Sequence, residues 1–453
     1  MPRLLIPALL LLSAVPAQAA QPAARPDYAA AGLRQPGCAD ARIADRLLTL
    51  SDLLDIALCR APATSAAWAG VRAAAAREAQ VRAGYGPSLS AALGPDVSAS
   101  RRWGAGFPAT TDSSASATAQ LSLQWLLFDF GGRQAALAGA EAARAAALAT
   151  FAGAAQDVVQ ETALAYNGYV SAKASAKAAE ASVAFAEASL AAATAREKAG
   201  VAIKSDRLQA DAAFARALLE QRQARGTLEA QRGRLLTALS LPPDGTIDVA
   251  EPPPANSDVS RASARALLEE AARLRPDLRL QAATLESARA AVAQAQAARR
   301  PSVSMGAGPS LSVGTQGQDS AIATAGVTLS IPLFNSGGRT AALREAEAER
   351  DRAEANLALA GQQAALEVWG RYQDLETASA NLETSRRLLV SAEEAAALAQ
   401  GRYKAGLAGI TELLDAQSSL ISARQQMVLA DLQLRASELQ LARSVGTVGD
   451  ALE

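Results

Sequence analysis

The stretch Phe-Asp-Phe-Gly-Gly-Arg at residues 128–133 returns 206 positions later as Phe-Asn-Ser-Gly-Gly-Arg at residues 334–339. The same spacing relates Lys-Ala-Gly-Val at residues 198–201 to Lys-Ala-Gly-Leu at residues 404–407, and upstream of the first stretch the spacing becomes 214. Self-similarity at a fixed spacing is typical of repeat architectures. The chain is therefore predicted to contain two copies of one unit of about 190 residues.

Each copy is predicted to contain a helix, two strands, a very long helix and a return helix. The first helices, at about 51–84 and 263–300, end before prolines, which cannot continue a helix. Copy 1, residues 51–240, has predicted strands at about 88–102 and 115–128, a long helix at 131–197 and a return helix at 206–240. Copy 2, residues 263–449, has predicted strands at about 302–314 and 321–333, a long helix at 337–402 and a return helix at 412–445. Residues 20–50 form an N-terminal extension, and the proline-rich residues 241–262 connect the copies.

Residues 1–19 have the pattern of a signal peptide. Arg3 supplies the positive charge, residues 4–15 form an apolar run too short to cross a bilayer, and residues 17–19 form a small-residue cleavage site. The mature chain is therefore expected to begin near Ala20, outside the cytoplasm. No cysteine follows the cleavage site directly, so no N-terminal lipid anchor is expected.

Cys38 and Cys59 are the two cysteines of the chain. An even number in an exported chain predicts one disulfide, with two buried free thiols as the alternative. The chain has no histidine, the commonest general base and metal ligand, so no catalytic, cofactor-binding or metal site is predicted and no enzyme activity is expected. The net charge of −1 and the lack of a basic stripe give no support for nucleic-acid binding.

The predicted strands alternate with a period of two. From residue 302 to residue 314 the odd positions are mostly apolar and the even positions are serine or glycine. Strands of about 13 residues can cross a bilayer at a tilt, which favours a membrane β-barrel in contact with lipid over a soluble sandwich. Four strands cannot close such a barrel, so several chains are expected to share one, and three chains would supply twelve strands.

The long helices contain no proline and are rich in alanine, glutamate, arginine and glutamine. A helix of about 67 residues is roughly 100 Å long, which predicts coiled-coil packing. Gly200 and Gly406 mark tight turns before the return helices, and a left-handed helix cap explains such a glycine without any further role.

These features resemble the TolC family of outer-membrane channels. The resemblance rests on the two turns and on the two strand-to-helix joints, whose glycines are Gly131, Gly132, Gly337 and Gly338. Residues 57–62 and 66–68, together with the cysteine pair, resemble the CyaE-type branch that secretes cyclolysin. The resemblance implies a mixed α+β membrane protein in the outer membrane: a homotrimer whose twelve-stranded β-barrel continues into a periplasmic α-helical coiled-coil barrel. The alternative for the joints is that their glycines only allow the chain to turn from a strand into a helix.

The resemblance also implies partners. A periplasmic adaptor (membrane fusion) protein would dock at the helix tips, and an inner-membrane ABC transporter or proton-driven pump would supply the exported substrate. The tip residues are Gly200, Val201, Gly406 and Leu407.

The family narrows its periplasmic entrance with a tyrosine, an arginine and acidic residues. The matching positions here are Tyr403, Glu412 and Asp415 in copy 2 and Asp206, beside Ser205, in copy 1, whereas the arginine position is Ala408. A hydrogen bond from Tyr403 to Asp206 would hold this entrance narrow. Three-fold symmetry would turn Glu412 and Asp415 into two acidic rings, which favour cations. The alternatives are that the acidic residues at the helix starts only favour the helix dipole, and that Asp415 lies on a solvated face.

The sequence thus predicts a passive trimeric exit duct of a tripartite export system, of the type I protein secretion class. Small-molecule efflux is the alternative within this class. A non-conducting trimeric fibre or adhesin is the alternative from another class.

Overall fold

A computed structural model of the chain describes residue 26 and residues 28–38, 47–253, 263–315 and 319–448. The predicted signal peptide, residues 1–19, lies outside the described residues. So do parts of the predicted extension and of the predicted connector.

The described chain is mostly helical, with one antiparallel sheet. The helices are α1 (Leu50–Arg60), α2 (Pro62–Ala83), α3 (Gly132–Lys198), α4 (Lys204–Ala238), α5 (Ala264–Leu274), α6 (Pro276–Ala297), α7 (Gly338–Lys404) and α8 (Ile410–Val445). The strands are β1 (Ser88–Gly104), β2 (Phe107–Phe128), β3 (Ser302–Gly314) and β4 (Ser320–Ser330). The order of two helices, two strands and two helices therefore occurs twice.

Each predicted first helix is in fact two helices. α1 ends at Arg60 and α2 begins at Pro62, and α5 ends at Leu274 and α6 begins at Pro276. Proline lacks an N–H and its ring clashes with the preceding turn, so it begins a helix more readily than it sits inside one. The prediction of one helix overlooked these prolines.

The sheet has the order β1-β2-β3-β4, with every neighbouring pair antiparallel. β1 and β2 have 17 and 22 residues, longer than predicted. β2 begins at Phe107 instead of near residue 115, because a tight turn with Gly106 at φ 94° folds the Ser- and Thr-rich residues back onto β1. β4 ends at Ser330 instead of near residue 333, since Pro332 has no N–H for a strand ladder.

The described residues form two compact units, and the sheet belongs to the first, which comprises Arg72–Arg144 and Glu286–Arg350 with Pro26. The second unit comprises the described residues within 27–71, 145–285 and 351–453, and its helices are α1, α4, α5, α8 and parts of the others. Its main hydrophobic core lies around Phe151, whose ring contacts those of Trp68 and Tyr28 at centroid distances of 5.3 and 5.4 Å. No described helix is both long and apolar enough to span a bilayer.

A disulfide between Cys38 and Cys59 fastens the described N-terminal segment to α1, with a Cα–Cα distance of 5.7 Å. The predicted disulfide is confirmed, and the described chain has no free thiol. The hydroxyl of Tyr28 adds a hydrogen bond of 2.7 Å to the carbonyl of Leu58. The described part of the extension is therefore held to α1 both by a covalent bond and by a hydrogen bond.

A buried arginine holds the corner between α5 and α6. The Arg275 side chain is 8% exposed, lies 2.8 Å from both Asp277 and Glu367, and donates to the carbonyl of Ser444 at 2.8 Å. Burial opposes the ionisation of Asp277, but the hydrogen bonds and charge of Arg275 outweigh it and hold the pKa of Asp277 below its ordinary value of 3.8.

Replacing Arg275 with alanine should lower the free energy of unfolding by about 2 kcal/mol, because charged hydrogen bonds are lost while both carboxylates still reach solvent. Arg265→Ala is the control, since its pair with Glu269 is exposed and should contribute little. Because the pKa of Asp277 is lowered, the difference should be complete at neutral pH and should shrink as the pH falls towards and below 3.8. Equal denaturation midpoints for the two variants would contradict this prediction.

Candidate functional site

The turn after α3 is a Schellman motif. The amide of Val201 donates to the carbonyl of Arg196 at 3.0 Å, and the amide of Gly200 donates to the carbonyl of Glu197 at 2.9 Å. Gly200 has a φ of 74°, which favours glycine. This turn is the tip of the α3–α4 hairpin, and the glycine serves as its left-handed cap.

The turn after α7 has the same two bonds, from Leu407 to Arg402 at 2.9 Å and from Gly406 to Tyr403 at 3.1 Å. Gly406 has a φ of 77°. This turn is the tip of the α7–α8 hairpin.

Apolar side chains project from both tips. Val201 and Ile203 are 66% and 68% exposed, and Leu407 is 73% exposed. Each tip therefore exposes at least one large apolar side chain to solvent.

A small apolar cluster joins the two hairpins beside the tips. Among its buried members α3 and α4 contribute alanines and α7 and α8 contribute larger residues, while Phe185 and Leu190 of α3 pack against them. Its buried members are Ala193, Ala210, Tyr403, Ile410 and Leu413.

Arg196 of α3 caps the C-terminal end of α7. Its Nη1 donates to the carbonyl oxygen of Tyr403 at 2.7 Å, and its guanidinium carbon lies 4.8 Å from the centre of the Tyr403 ring. A cation at a helix C-terminus is favoured by the helix dipole, and its position over the ring adds a cation–π interaction.

The Tyr403 hydroxyl is buried and has no hydrogen-bond partner among the described residues. The predicted hydrogen bond from Tyr403 to Asp206 is therefore not formed, because the ring is held by Arg196 and the apolar cluster instead. The pKa of the Tyr403 phenol is raised above its ordinary value, chiefly by burial. The positive charge of Arg196 opposes this rise in the pKa, and the negative charge of Asp206 adds to it. Asp206 thus lies close enough to act electrostatically.

Two ion pairs flank the tips, and the sequence analysis missed both. Glu197 pairs with Arg207 at 2.8 Å, and Arg402 pairs with Glu412 at 2.8 Å. Each pair joins residues ten positions apart across a turn. The sequence did carry a signal for two of the arginines, because the spacing of 206 relates Arg196, which caps α7, to Arg402, which pairs with Glu412. Two arginines near the tips are therefore Arg196 and Arg402, whereas the position of the family's arginine is occupied by Ala408.

The remaining predicted entrance residues differ in their surroundings. Ser205 and Asp415 are exposed, and Asp415 has no ion pair within the described chain. Glu412 is half-exposed and neutralised by Arg402, and it lies in the first turn of α8. The structure therefore leaves Asp415 as the unpaired carboxylate of copy 2 at this end of α8.

The two strand-to-helix joints share a backbone conformation. Phe130 and Gly131 have φ values of 51° and 97°, and Ser336 and Gly337 have φ values of 53° and 84°. Two successive left-handed residues turn the chain sharply, after which Gly132 and Gly338 begin α3 and α7.

The first joint is held by more side-chain contacts than the second. Asp129 accepts a hydrogen bond from the Arg133 amide at 2.6 Å, and the Arg133 guanidinium lies 4.8 Å from the centre of the Tyr85 ring. At the second joint, Asn335 accepts from the Arg339 amide at 3.3 Å. The left-handed conformations of Gly131 and Gly337 give these glycines a structural role, and the side-chain contacts hold the joints.

The model of the outer membrane efflux protein family matches residues 53–240 and 267–447 of the chain. The chain belongs to this family. Protein CyaE of Bordetella pertussis is 34% identical over 413 residues, which are 90% of this chain and 86% of that protein.

Solved structures share the fold of this family member. The outer-membrane channel OprN is 24% identical, with a TM-score of 0.79 over 94% of this chain and 99% of that one. The outer membrane protein VceC from Vibrio cholerae is 23% identical, with a TM-score of 0.74 over 88% of this chain and 96% of that one. The family places the protein in the outer membrane, and its structural neighbours are channels rather than enzymes.

For this family member, removing only the Tyr403 hydroxyl should leave the tips intact, whereas removing the ring should loosen them. Tyr403→Phe deletes a buried hydroxyl without a partner, so stability should be equal or higher. Tyr403→Ala empties a buried site and should cost about 3 kcal/mol locally. Limited trypsin digestion at Lys198 and Lys404 should be faster in Tyr403→Ala alone. Faster digestion of Tyr403→Phe would show that the hydroxyl has a partner after all.

Proposed function

We propose that three copies of this chain form an outer-membrane channel that continues into a periplasmic helical tube. The observation that carries the proposal is the open sheet. β1 and β4 are the edges of the described sheet, and every residue of both strands is exposed. Unpaired strand edges are costly in lipid, so each chain needs neighbours to close the barrel.

The number three is supported by strand count and by the family resemblance. Two chains would supply eight strands, and the interior of an eight-stranded barrel is just wide enough to be filled by its own side chains. Three chains supply twelve strands and a wider lumen for export. The uncharged Ser, Thr and Gly positions of the strands suit such a lumen.

We further propose that the channel serves type I protein secretion. The support is the 34% identity to protein CyaE over most of both chains, together with the resemblance to the cyclolysin-secreting branch. Small-molecule efflux remains the second candidate, because the family as a whole is an efflux family. In either case a periplasmic adaptor would cover the exposed apolar tips, and an ABC transporter or a proton-driven pump would deliver the substrate.

Two measurements test the proposal. Protein extracted from outer membranes in mild detergent should have the native mass of three chains and should conduct in planar bilayers; a non-conducting trimer would indicate the fibre alternative. Co-expression with an adaptor and an ABC exporter of an RTX-type toxin should release the toxin into the medium, and omission of the channel should abolish the release. Restored drug resistance without toxin release would favour small-molecule efflux.

The entrance should select cations chiefly through Asp415. Three-fold symmetry would place three unpaired carboxylates around the mouth, and charged rings of this kind attract ions of opposite sign. Asp415→Asn should therefore reduce cation selectivity in single-channel recordings. Glu412→Gln, the control, should change selectivity less because Arg402 already neutralises Glu412. Equal effects of the two substitutions would contradict this assignment.

A further inference from the structure

The two faces of the β1–β2 hairpin differ in chemistry. In β1, apolar residues alternate with small or polar ones over residues 89–99. The pairing of β1 with β2 places Val97 opposite Ala115 and Ser98 opposite Ser114, and the two serine hydroxyls lie 2.9 Å apart. Because side chains alternate between the faces of a sheet, the hairpin has one apolar face and one polar face. In the proposed barrel the apolar face contacts lipid.

The apolar face of β1 has the height of a membrane. Leu93 and Val97 on this face are 83% and 80% exposed in the chain. From Leu89 to Ala99 the strand advances by about ten steps of about 3.4 Å, which at a tilt of about 40° rise about 26 Å. The apolar band of an outer-membrane barrel is about 25 Å tall. The next residue on this face, Arg101, therefore lies about 5 Å beyond the band.

The turn of this hairpin lies at the outer end of the proposed barrel. β1 follows α2 and β2 leads into α3, so the helices are attached at the end of the hairpin opposite the turn with Gly106. The helices form the periplasmic tube in the proposed assembly. Arg101 is therefore at the level of the lipid headgroups of the outer leaflet.

Arg101 is the one charged residue on the apolar face of the described sheet. The charged residues of the four strands are Asp96, Arg101, Arg102 and Asp112. All of them except Arg101 occupy even positions, which belong to the polar face. Arg101 is exposed and has no hydrogen bond or ion pair within the described residues. Its partner in the register is Thr111, which adds a hydroxyl to the same face.

We propose that Arg101 binds a phosphate group on the headgroup of an outer-leaflet glycolipid. The proposal rests on the outer-membrane barrel proposed above. A guanidinium matches a phosphate with two parallel hydrogen bonds, and its alkyl stem can lie along the apolar face while its charge reaches the headgroups. Trp103, two residues further along β1, is 78% exposed and suits the rim of the lipid band, where aromatic residues form girdles.

Lipid binding to the purified native oligomer tests the contact. The probe is lipid A that carries both of its phosphates, added in mixed micelles, and native mass spectrometry counts the bound lipids. Arg101→Gln should bind this lipid about fivefold less tightly than the wild type, the change expected when one arginine is lost from an anionic lipid surface. Arg102→Gln is the matched control. It removes the same charge from the opposite face one residue away and should bind like the wild type.

The chemistry of the ligand is tested by changing the probe. The difference between the wild type and Arg101→Gln should vanish with dephosphorylated lipid A, and inorganic phosphate should not displace the bound lipid. Equal affinities of Arg101→Gln and Arg102→Gln for the phosphorylated lipid would overturn the inference, as would displacement by inorganic phosphate. Loss of the oligomer in Arg101→Gln would also overturn it, because Arg101 would then contact the neighbouring chain.

A fluorescence experiment separates this inference from the proposed barrel. The described chain has no free thiol, so a single introduced cysteine can carry the label. A bimane on Val97→Cys should be quenched by brominated acyl chains in vesicles, whereas a bimane on Ser98→Cys, on the polar face, should not. Equal quenching at the two positions would overturn the barrel itself. Quenching on Val97→Cys alone, without a preference for the phosphorylated lipid, would overturn only the phosphate contact.

Discussion

Gly308→Ala should prevent assembly of the channel, with little or no oligomer recovered from the outer membrane. A methyl group at Gly308 would overlap the carbonyl oxygen of Leu121 and come within 3.3 Å of the Ser122 backbone. Both neighbours belong to strand β2, which pairs with β3 on either side of this point, at Gln120–Ser310 and at Leu123–Ala307. We expect a cost of more than about 3 kcal/mol, beyond the usual range for overpacking, because backbone instead of a side chain must shift.

Gly306→Ala is the matched control. Gly306 lies in the same strand, and a methyl group there would meet its nearest neighbour, the carbonyl of Leu123, at 4.0 Å. This variant should assemble like the wild type on unheated denaturing gels. Equal yields of oligomer from both variants would show that β2 and β3 can separate locally without loss of the sheet.

Leu407→Asp combined with Val201→Asp should abolish export while the native mass stays that of the proposed trimer. Both side chains project from the hairpin tips and are mostly exposed, so the substitutions disturb no buried packing. A carboxylate at each position would remove the apolar surface proposed for the adaptor and would be costly to bury in a complex. Export of the substrate and cross-linking to the adaptor measure the loss.

Leu407→Met with Val201→Ile is the corresponding control, because it keeps the apolar surface and should export normally. Normal export by the aspartate variant would place the adaptor elsewhere. A change in native mass would instead mean that the tips take part in trimer assembly.

Much of the fold could be predicted because the chain repeats itself. The Gly-Gly-Arg joints and the glycine-centred turns mark the ends of α3 and α7 in both copies, and helices without proline are easily recognised between such signals. The early start of β2 could not be recognised, since its first residues are serine and threonine without an apolar alternation.

The contacts at the tips were harder to predict than the turns. The glycines predict the turns from local backbone geometry alone, but the partner of Tyr403 depends on which helix lies beside it. A cation from α3 holds the ring, and its partner in the fold is 207 positions away along the chain. The family pattern drew attention to position 408 and away from Arg196 and Arg402.

Gln156 on α3 links the segment before copy 1 to the end of copy 2. Its side-chain amide donates to the carbonyl of Ala31, before copy 1, at 3.3 Å and to the carbonyl of Gly446, at the end of copy 2, at 3.2 Å. The end of copy 2 therefore lies near the described segment that precedes copy 1, since one side chain contacts both. A circularly permuted gene, opened in the connector and joined behind Gly446 by a short linker, would encode the same three-dimensional arrangement.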